Sequence, residues 1–242
     1  MLGFTKWELG KSNKTSRLRR MPRPSTRPAE RRRSYDQYCA AARALDAVGD
    51  RWTLLIVREL LAGPRRYTDL HADLPGVSTD MLATRLRDME RDGLATRRRL
   101  PPPSPAYVYE LTDRGRGLLP VLRALARWGA PALEGPRPTD AVRAHWFAVP
   151  LLDALESAGG SGTVEVRLDE GVFHVRLDGD GGAAYGDGPA EAPDARLRMD
   201  AATCAALGGG ELSLAAGVRA GRVEVAGEGP LAAALRGGPG PL

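Results

Sequence analysis

The chain has 242 residues, and its 43% apolar content is enough to build folded cores, which excludes a wholly disordered protein. It contains no run of about 18 apolar residues and its first residues lack an apolar signal segment, so we expect a cytoplasmic, nucleoid-associated protein without a membrane span. The charge is uneven: residues 1–38 carry a net +8, residues 39–135 a net +3 and residues 136–242 a net −6, which is typical of a polyanion-binding part joined to a different part.

Basic residues, proline and serine dominate residues 1–34, which predicts a disordered basic arm. Behind it, helical periodicity predicts four helices, at residues 37–48, 51–61, 68–73 and 78–92. The pattern then predicts two strands around a proline run and a fifth helix, at residues 94–100, 106–111 and 113–128. Residues 35–134 are therefore predicted to form one domain.

The helix predicted at residues 78–92 carries the chemistry of this domain. Its core stripe consists of Leu82, Leu86 and Met89. The opposite face, at about 100° per residue, carries Arg87, whose forked donor geometry suits the edge of a guanine. The Ser78 N-cap leaves backbone N–H groups for a phosphate, and Arg85 lies on the flank, where a phosphate or an internal acidic partner suits it.

A basic hairpin follows this helix. Arg97, Arg98 and Arg99 form a strand that leads into the proline-stiffened tip, a wing able to reach phosphates or a minor groove. A charged helix face alone is usually a solvated face, whereas this helix and this wing together favour DNA binding. The residues predicted to contact DNA are Arg65, Arg66, Ser78, Thr79, Asp80, Ala83, Thr84, Arg85, Arg87, Arg91, Arg97, Arg98 and Arg99.

The spacing of apolar residues changes after a Pro/Gly-rich linker predicted at residues 135–139. A helix is predicted at residues 140–157, either continuous or broken at Pro150. Alternating strands with short helices between them follow, at residues 164–168, 172–177, 196–199 and 222–225. Residues 140–242 are thus predicted to be a smaller α+β domain, and the fold class of the whole chain is α+β.

Several segments of the first domain carry a recognisable pattern, at residues 39–45, 50–61, 63–70, 74–94, 110–115 and 128–129. They resemble the HxlR-type winged helix-turn-helix family, although Ala40 replaces the family's usual proline and prolines lengthen the wing. The resemblance implies a transcriptional regulator, usually a repressor, that binds double-stranded DNA as a homodimer paired through the first and last helices of the domain. Apolar residues that suit this interface, or equally the domain's own core, are Leu118, Leu119, Leu122, Leu125 and Trp128.

The same resemblance bears on Cys39. Some members of the family use a cysteine at this place to sense electrophiles or oxidants, which needs an accessible thiolate. A small helix residue packed at the dimer seam is the alternative interpretation of Cys39.

From residue 194 onward the chain follows the order strand, helix, loop, helix and a strand of the form Gly-Arg-Val-x-Val-x-Gly. This resembles sterol-carrier-protein-like domains, which implies an apolar ligand held between helices and a mostly antiparallel sheet. The candidate lining residues are Trp146, Phe147, Leu151, Leu155, Phe173, Met199, Leu207, Leu212 and Leu214. Each of them is also compatible with an ordinary core.

No catalytic set or dinucleotide fingerprint is found in the sequence, so we expect no enzyme and no cofactor. Cys39 and Cys204 lie far apart, and His71, His145 and His174 lack ligand spacing, so no metal is predicted. Three interpretations stay open: a regulator whose second domain senses a small apolar effector, a regulator whose second domain is purely structural, and a lipid-type carrier with a partner-binding front domain. The basic wing argues against the carrier.

Overall fold

The computed structural model describes residues 34–103, 105–133, 135, 137–178 and 183–237. The predicted basic arm falls, except for Ser34, outside the described residues. No helix in these ranges has the length and apolar character needed to cross a membrane.

The N-terminal half follows the predicted order of elements. Its helices are α1 (Ala40–Val48), α2 (Thr53–Leu61), α3 (Tyr67–Asp73), α4 (Thr79–Arg91), α5 (Asp113–Arg116) and α6 (Leu119–Gly129). Its strands are β1 (Arg65–Arg66), β2 (Ala95–Arg99) and β3 (Tyr107–Leu111). The first four helices and the hairpin of strands are confirmed, with ends that differ from the predicted ones by a few residues.

The sequence of α4 explains how this helix is oriented. Leu82, Leu86 and Met89 are buried, as the stripe predicts, and fix the helix on the domain core. The Ser78 hydroxyl accepts a hydrogen bond from the Met81 backbone N–H at 3.3 Å, which confirms the predicted N-cap. α4 therefore turns its polar face away from the core.

A three-stranded antiparallel sheet in the order β1-β3-β2 forms the wing. The strand β1 was not predicted, because two residues are too short to show an alternating pattern. Its pairing with β3, Arg65 opposite Tyr109 and Arg66 opposite Val108, anchors the start of α3 to the hairpin.

The predicted fifth helix is wrong as a single element, since the structure divides it into α5 and α6. Pro120 lies in the first turn of α6, where its missing N–H costs nothing, whereas in a continuous helix its ring would clash with the preceding turn. α5 packs closely on the wing, because a Cβ on Gly115 would overlap the Leu94 carbonyl oxygen. The break is thus explained by the backbone properties of Pro120 and Gly115, which the spacing of apolar residues does not reveal.

The C-terminal half layers helices against a five-stranded sheet in the order β6-β5-β4-β7-β8. The strands are β4 (Gly162–Leu168), β5 (Gly171–Leu177), β6 (Ala183–Asp187), β7 (Ala195–Arg198) and β8 (Glu224–Ala226). The helices are α7 (Ala148–Ala158), α8 (Ala201–Gly209), α9 (Leu214–Arg219) and α10 (Pro230–Leu235), and a 3₁₀ turn, Ala144–Phe147, precedes α7. Strands β4 and β7 run parallel, so the sheet is mixed.

Two predictions in this half need correction. The helix predicted at residues 140–157 starts as the 3₁₀ turn at Ala144, and Pro150 lies within the first turn of α7 without breaking it. The strand β6 was missed because it follows a Gly-rich segment and alternates only small residues around Tyr185. These differences leave the predicted α+β class intact.

The N-terminal and C-terminal halves belong to one unit of contacts, residues 35–242. α6 packs against α7, and α2 packs against β6. Polar side chains lie at these contacts, and Glu59 and His145 among them are buried.

Candidate nucleic-acid interface

The outward face of α4 presents the predicted reading residues to solvent. Thr79, Asp80 and Arg87 are exposed, while Ala83 and Thr84 are partly exposed between them. The side chains of Ala83 and Thr84 are small and project little from the helix, which allows the helix to approach base edges closely.

Arg87 is the exposed cation at the middle of this face. Its Nε donates to the Ala83 carbonyl at 3.2 Å, and its Nη2 donates to the Thr84 hydroxyl at 3.2 Å. Hydrogen bonds of an exposed side chain to its own helix are replaced at little cost. The guanidinium is therefore held near the helix surface but is available to a base edge.

Arg85 is placed by the structure in an internal role, not in a phosphate contact. Its guanidinium forms ion pairs with Asp50 and with Asp88, and its side chain is only 16% exposed. The sequence left two possible partners for Arg85, a phosphate or an internal acidic residue, and the structure shows the acidic residues. Arg85 ties α4 to the turn between α1 and α2.

Arg91, in the last turn of α4, has acidic neighbours as well. It pairs with Asp88 at 2.8 Å and with Asp92 at 3.4 Å, and its side chain is about half exposed. These carboxylates offset its charge, so any phosphate contact from Arg91 competes with two neighbours.

The three arginines of β2 differ in their partners. Arg97 lies over the ring of Tyr107 at 3.9 Å from the ring centroid, and Arg98 pairs with Glu110 at 3.0 Å. Arg99 is exposed and has no ion-pair partner within the described part of the chain. It is the wing arginine whose charge is least compensated.

Arg65 is directed toward the C-terminal half, which does not agree with the predicted phosphate contact. Its Nη2 lies 3.0 Å from Oδ2 of Asp187 in β6, and its side chain is 16% exposed. Arg66, the next residue, is exposed and stays available for a phosphate. Alternation along the strand β1 explains why the two neighbours face opposite sides.

A buried carboxylate that sequence reasoning missed joins the two halves. Glu59 of α2 is 0% exposed, and its Oε1 accepts from Arg58 Nη2 at 2.7 Å and from Trp146 Nε1 at 2.9 Å. Its Oε2 lies 2.6 Å from Nε2 of His145. Burial raises the pKa of Glu59, but the hydrogen bond with His145 and the charge of Arg58 outweigh this and hold the pKa below its usual value.

Further contacts extend this polar interface. Tyr185 of β6 donates to the Arg58 carbonyl at 2.7 Å, and burial raises the pKa of its phenol. Arg143 pairs with Asp73 of α3 at 3.2 Å. Helices α2 and α3 are thus held by side chains of the C-terminal half.

The helix α6 is also bound to the C-terminal half. Arg123 pairs with Asp153 and Glu156 of α7, and Arg127 pairs with Asp153. These carboxylates raise the pKa of the Arg123 guanidinium above its usual range.

The residues predicted to line an apolar pocket are packed. The buried members of this set are Leu151, Leu155, Phe173, Met199, Leu207 and Leu214. Trp146 belongs to the interface with α2, with its ring 4.2 Å from the Arg58 guanidinium, while Phe147 and Leu212 are partly buried against the core. These contacts match the ordinary-core alternative for the set.

A cleft of about 580 Å³ lies on the other face of the sheet. It is lined by Thr163, His174, Arg176, Ala184, Tyr185 and the loop Pro189–Ala192. The polar lining differs from the apolar pocket that the sterol-carrier resemblance implies.

The two cysteines have opposite environments. Cys39 is exposed at the N-cap of α1, and hydrogen bonds from the backbone of Ala42 and Ala41 lower the pKa of its thiol. Cys204 is buried, and burial raises the pKa of its thiol to about 12.

We therefore expect iodoacetamide at neutral pH to modify Cys39 in the native protein and to modify Cys204 only after unfolding. Mass spectrometry of the native protein and of protein in urea measures one and two adducts, respectively. The Cys39→Ser variant is the control, and an adduct on this variant in native buffer would contradict the assignment.

Comparison with known protein families agrees with this geometry. The model of the HxlR-like helix-turn-helix family matches residues 47–135. The HTH-type transcriptional regulator YvaP of Bacillus subtilis is 36% identical over 92 residues, which are 38% of this chain and 85% of YvaP. The regulator sll1512 of Synechocystis is 40% identical over 96 residues, which are 40% of this chain and 71% of the relative.

A solved structure, the reduced form of the regulator YodB from B. subtilis, is 29% identical with a TM-score of 0.36 and covers 42% of this chain and all of that one. The two relatives share more than 30% identity over more than two thirds of their own length. The chain therefore belongs to the HxlR-like helix-turn-helix family and is a DNA-binding transcriptional regulator.

Proposed function

We propose that the protein is a homodimeric repressor that reads operator DNA with α4 in the major groove and contacts the backbone with its wing. The observation that carries this proposal is the outward face of α4, where Arg87 stands exposed among the small residues Ala83 and Thr84. Ser78 at the start of the same helix and Arg99 on the wing supply phosphate contacts on either side.

Fluorescence anisotropy tests this proposal. The full chain is titrated against the DNA upstream of its own gene and against scrambled DNA over a salt series. We expect preference for the upstream DNA of about a thousandfold at 150 mM salt. Equal binding to both DNAs that collapses with salt contradicts sequence-specific reading of this site.

The wing contact gives a separate prediction. Arg99→Ala is expected to weaken binding to all sequences alike and to reduce the slope of log K against log[salt] by about one, because one phosphate contact is lost. Arg98→Ala is the matched control, and it should have a smaller effect because Glu110 already offsets the charge of Arg98. A larger effect from Arg98 than from Arg99 would contradict this placement of the wing.

The dimer is proposed to form through exposed apolar side chains on α6. Val121, Leu125 and Trp128 are exposed, with Trp128 at 84%, and they lie three and four residues apart on one stripe of the helix. Arg123 and Arg127, which bind the C-terminal half, lie on the order of 200° around the helix from this stripe. The C-terminal half and a second copy can therefore use opposite sides of α6. Tyr38, just before α1, and Leu45, within α1, add further exposed apolar surface.

We expect Leu125→Glu to raise the dimer dissociation constant about 30-fold, since a central apolar interface residue contributes about 2 kcal/mol. Sedimentation velocity over a concentration series measures the constant. Ala226→Glu, an exposed position on β8, is the control and should not change it. An unchanged association of the Leu125→Glu variant would place the dimer interface elsewhere.

For the C-terminal half we propose a stabilising role. The packing of Leu151, Leu155 and Phe173, together with the buried contact at Glu59, supports this role over an apolar effector pocket or a lipid carrier. Saturable binding of an environment-sensitive apolar dye to the native chain would favour the effector pocket instead.

A further inference from the structure

Three residues with metal-ligating side chains meet where the two halves join. Ligand atoms of Glu59, Asp73 and His145 all lie within 4.8 Å of one another. They come from α2, from α3 and from the 3₁₀ turn Ala144–Phe147. Glu59 and His145 are buried, and the side chain of Asp73 is 18% exposed. We propose that these residues bind one divalent transition-metal ion, and that Zn²⁺ fits them best.

The ligand set suits Zn²⁺. An imidazole nitrogen and carboxylate oxygens are among its usual ligands, at about 2.0–2.2 Å, and three protein ligands leave a fourth position for water. Around a tetrahedral ion such atoms lie roughly 3.3–3.6 Å apart. Nε2 of His145 and Oε2 of Glu59, now 2.6 Å apart, separate slightly on binding, and Asp73 moves inward.

The surroundings of the three ligands resemble the outer shell that metal sites use. A metal-binding histidine commonly donates its other ring N–H to a carboxylate. Nδ1 of His145 lies 3.4 Å from Oδ1 of Asp187. Arg58 and Trp146 hold the Glu59 oxygen that faces away from His145, which fixes the orientation of the carboxylate.

Binding takes the place of a hydrogen bond. Zn²⁺ needs the lone pair of Nε2, so the proton that Nε2 of His145 shares with Oε2 of Glu59 is released to solvent as the ion takes its place. The ring then carries its proton on Nδ1, and Oδ1 of Asp187 lies 3.4 Å from that nitrogen. The ion forms bonds to Nε2 of His145 and to one carboxylate oxygen each of Glu59 and Asp73, and water takes the fourth position.

Neighbouring charges select among ions. Arg58 pairs with Glu59, and Arg143 donates to Oδ1 of Asp73 at 3.2 Å. These guanidinium groups weaken the purely electrostatic attraction of the carboxylates, which disfavours Mg²⁺ and Ca²⁺, ions that depend on oxygen ligands. The imidazole favours Zn²⁺ over both.

The ligands were not recognisable in the sequence. They lie 14 and 72 residues apart, whereas motif searches depend on short spacings such as those of zinc fingers. The structure brings them together because the C-terminal half packs on α2 and α3. An ion at this place would connect both halves and so stabilise the folded chain.

Calorimetric titration with ZnCl₂ tests the proposal, on full-length protein stripped with EDTA and desalted. All variants carry Cys39→Ser, so that the exposed thiol binds no zinc. We expect one Zn²⁺ per chain, a raised Tm with Zn²⁺ and no saturable binding of Mg²⁺. Asp73→Asn keeps the shape of the side chain and should weaken Zn²⁺ binding at least about tenfold, while Asp187→Asn should weaken it by about 10- to 100-fold.

Glu224→Gln, an exposed change on β8, is the matched control and should bind Zn²⁺ like the parent. Circular dichroism of each variant without metal shows whether it is folded. The absence of saturable Zn²⁺ binding by the parent overturns the proposal. Equal affinity of the parent and a folded Asp73→Asn variant also overturns it, because the zinc would then be bound elsewhere on the surface.

Discussion

Glu59→Ala is expected to lower the free energy of unfolding by about 3–5 kcal/mol, because removing one partner of a buried ion pair leaves the others uncompensated. In the variant, His145 loses the acceptor at 2.6 Å, and Trp146 loses the acceptor at 2.9 Å. The guanidinium of Arg58 loses its ion-pair partner. Urea unfolding followed by circular dichroism, with EDTA present so that no metal contributes, measures the change.

Glu224→Ala removes a carboxylate of the same size from an exposed site and is the control. Its effect should stay within about 0.5 kcal/mol. The double variant with His145→Ala should be less destabilised than the sum of the two single variants, since both remove the same contact. Additive effects, or a Glu59→Ala midpoint equal to that of the parent, would show that this carboxylate does not hold the halves together.

Glu59 and Asp73 connect the C-terminal half to the two helices that precede α4 in the chain. Glu59 lies on α2 and Asp73 lies on α3, and the C-terminal half binds both through His145 and Arg143. The hydroxyl of Tyr67 in α3 donates to the Thr79 carbonyl at the start of α4, at 2.7 Å. Side chains of the C-terminal half are therefore two contacts away from α4.

Local features of the candidate DNA-binding surface were predictable from the sequence. The stripe of Leu82, Leu86 and Met89 fixes which side of α4 is buried, and Ser78 marks where the helix begins. A helix repeats every 3.6 residues, so its two faces follow from a few apolar positions. The exposure of Arg87 is confirmed for this reason.

Contacts between distant residues were not predictable in the same way. Arg65 and Asp187 are 122 residues apart, and Glu59 and His145 are 86 residues apart. No periodicity links such residues, because the contact depends on how one half packs on the other. A basic residue beside a DNA-binding helix, such as Arg65, looks the same in the sequence whether its partner is a phosphate or a carboxylate.

Arg87→Ala is expected to weaken binding to the operator by about 1–3 kcal/mol, or roughly 5- to 150-fold, and to relax the preference at one base pair. The reason is geometric: a bidentate contact to guanine needs the planar fork of arginine at a fixed height above the groove. Arg87 is exposed beside the small side chains of Ala83 and Thr84, which supports such a contact in the proposed docking. Anisotropy with the operator and with single-base variants measures both effects.

Two further variants separate base reading from simple attraction to phosphate. Arg87→Lys keeps the charge but loses the fork, so the salt slope should stay near that of the parent while the base preference falls. Arg91→Ala should change affinity little and without base preference, because Asp88 and Asp92 already offset that charge. If Arg87→Lys reads the operator as the parent does, the contact at this position is to phosphate, and the specificity of α4 must come from Thr84 and the first turn of the helix.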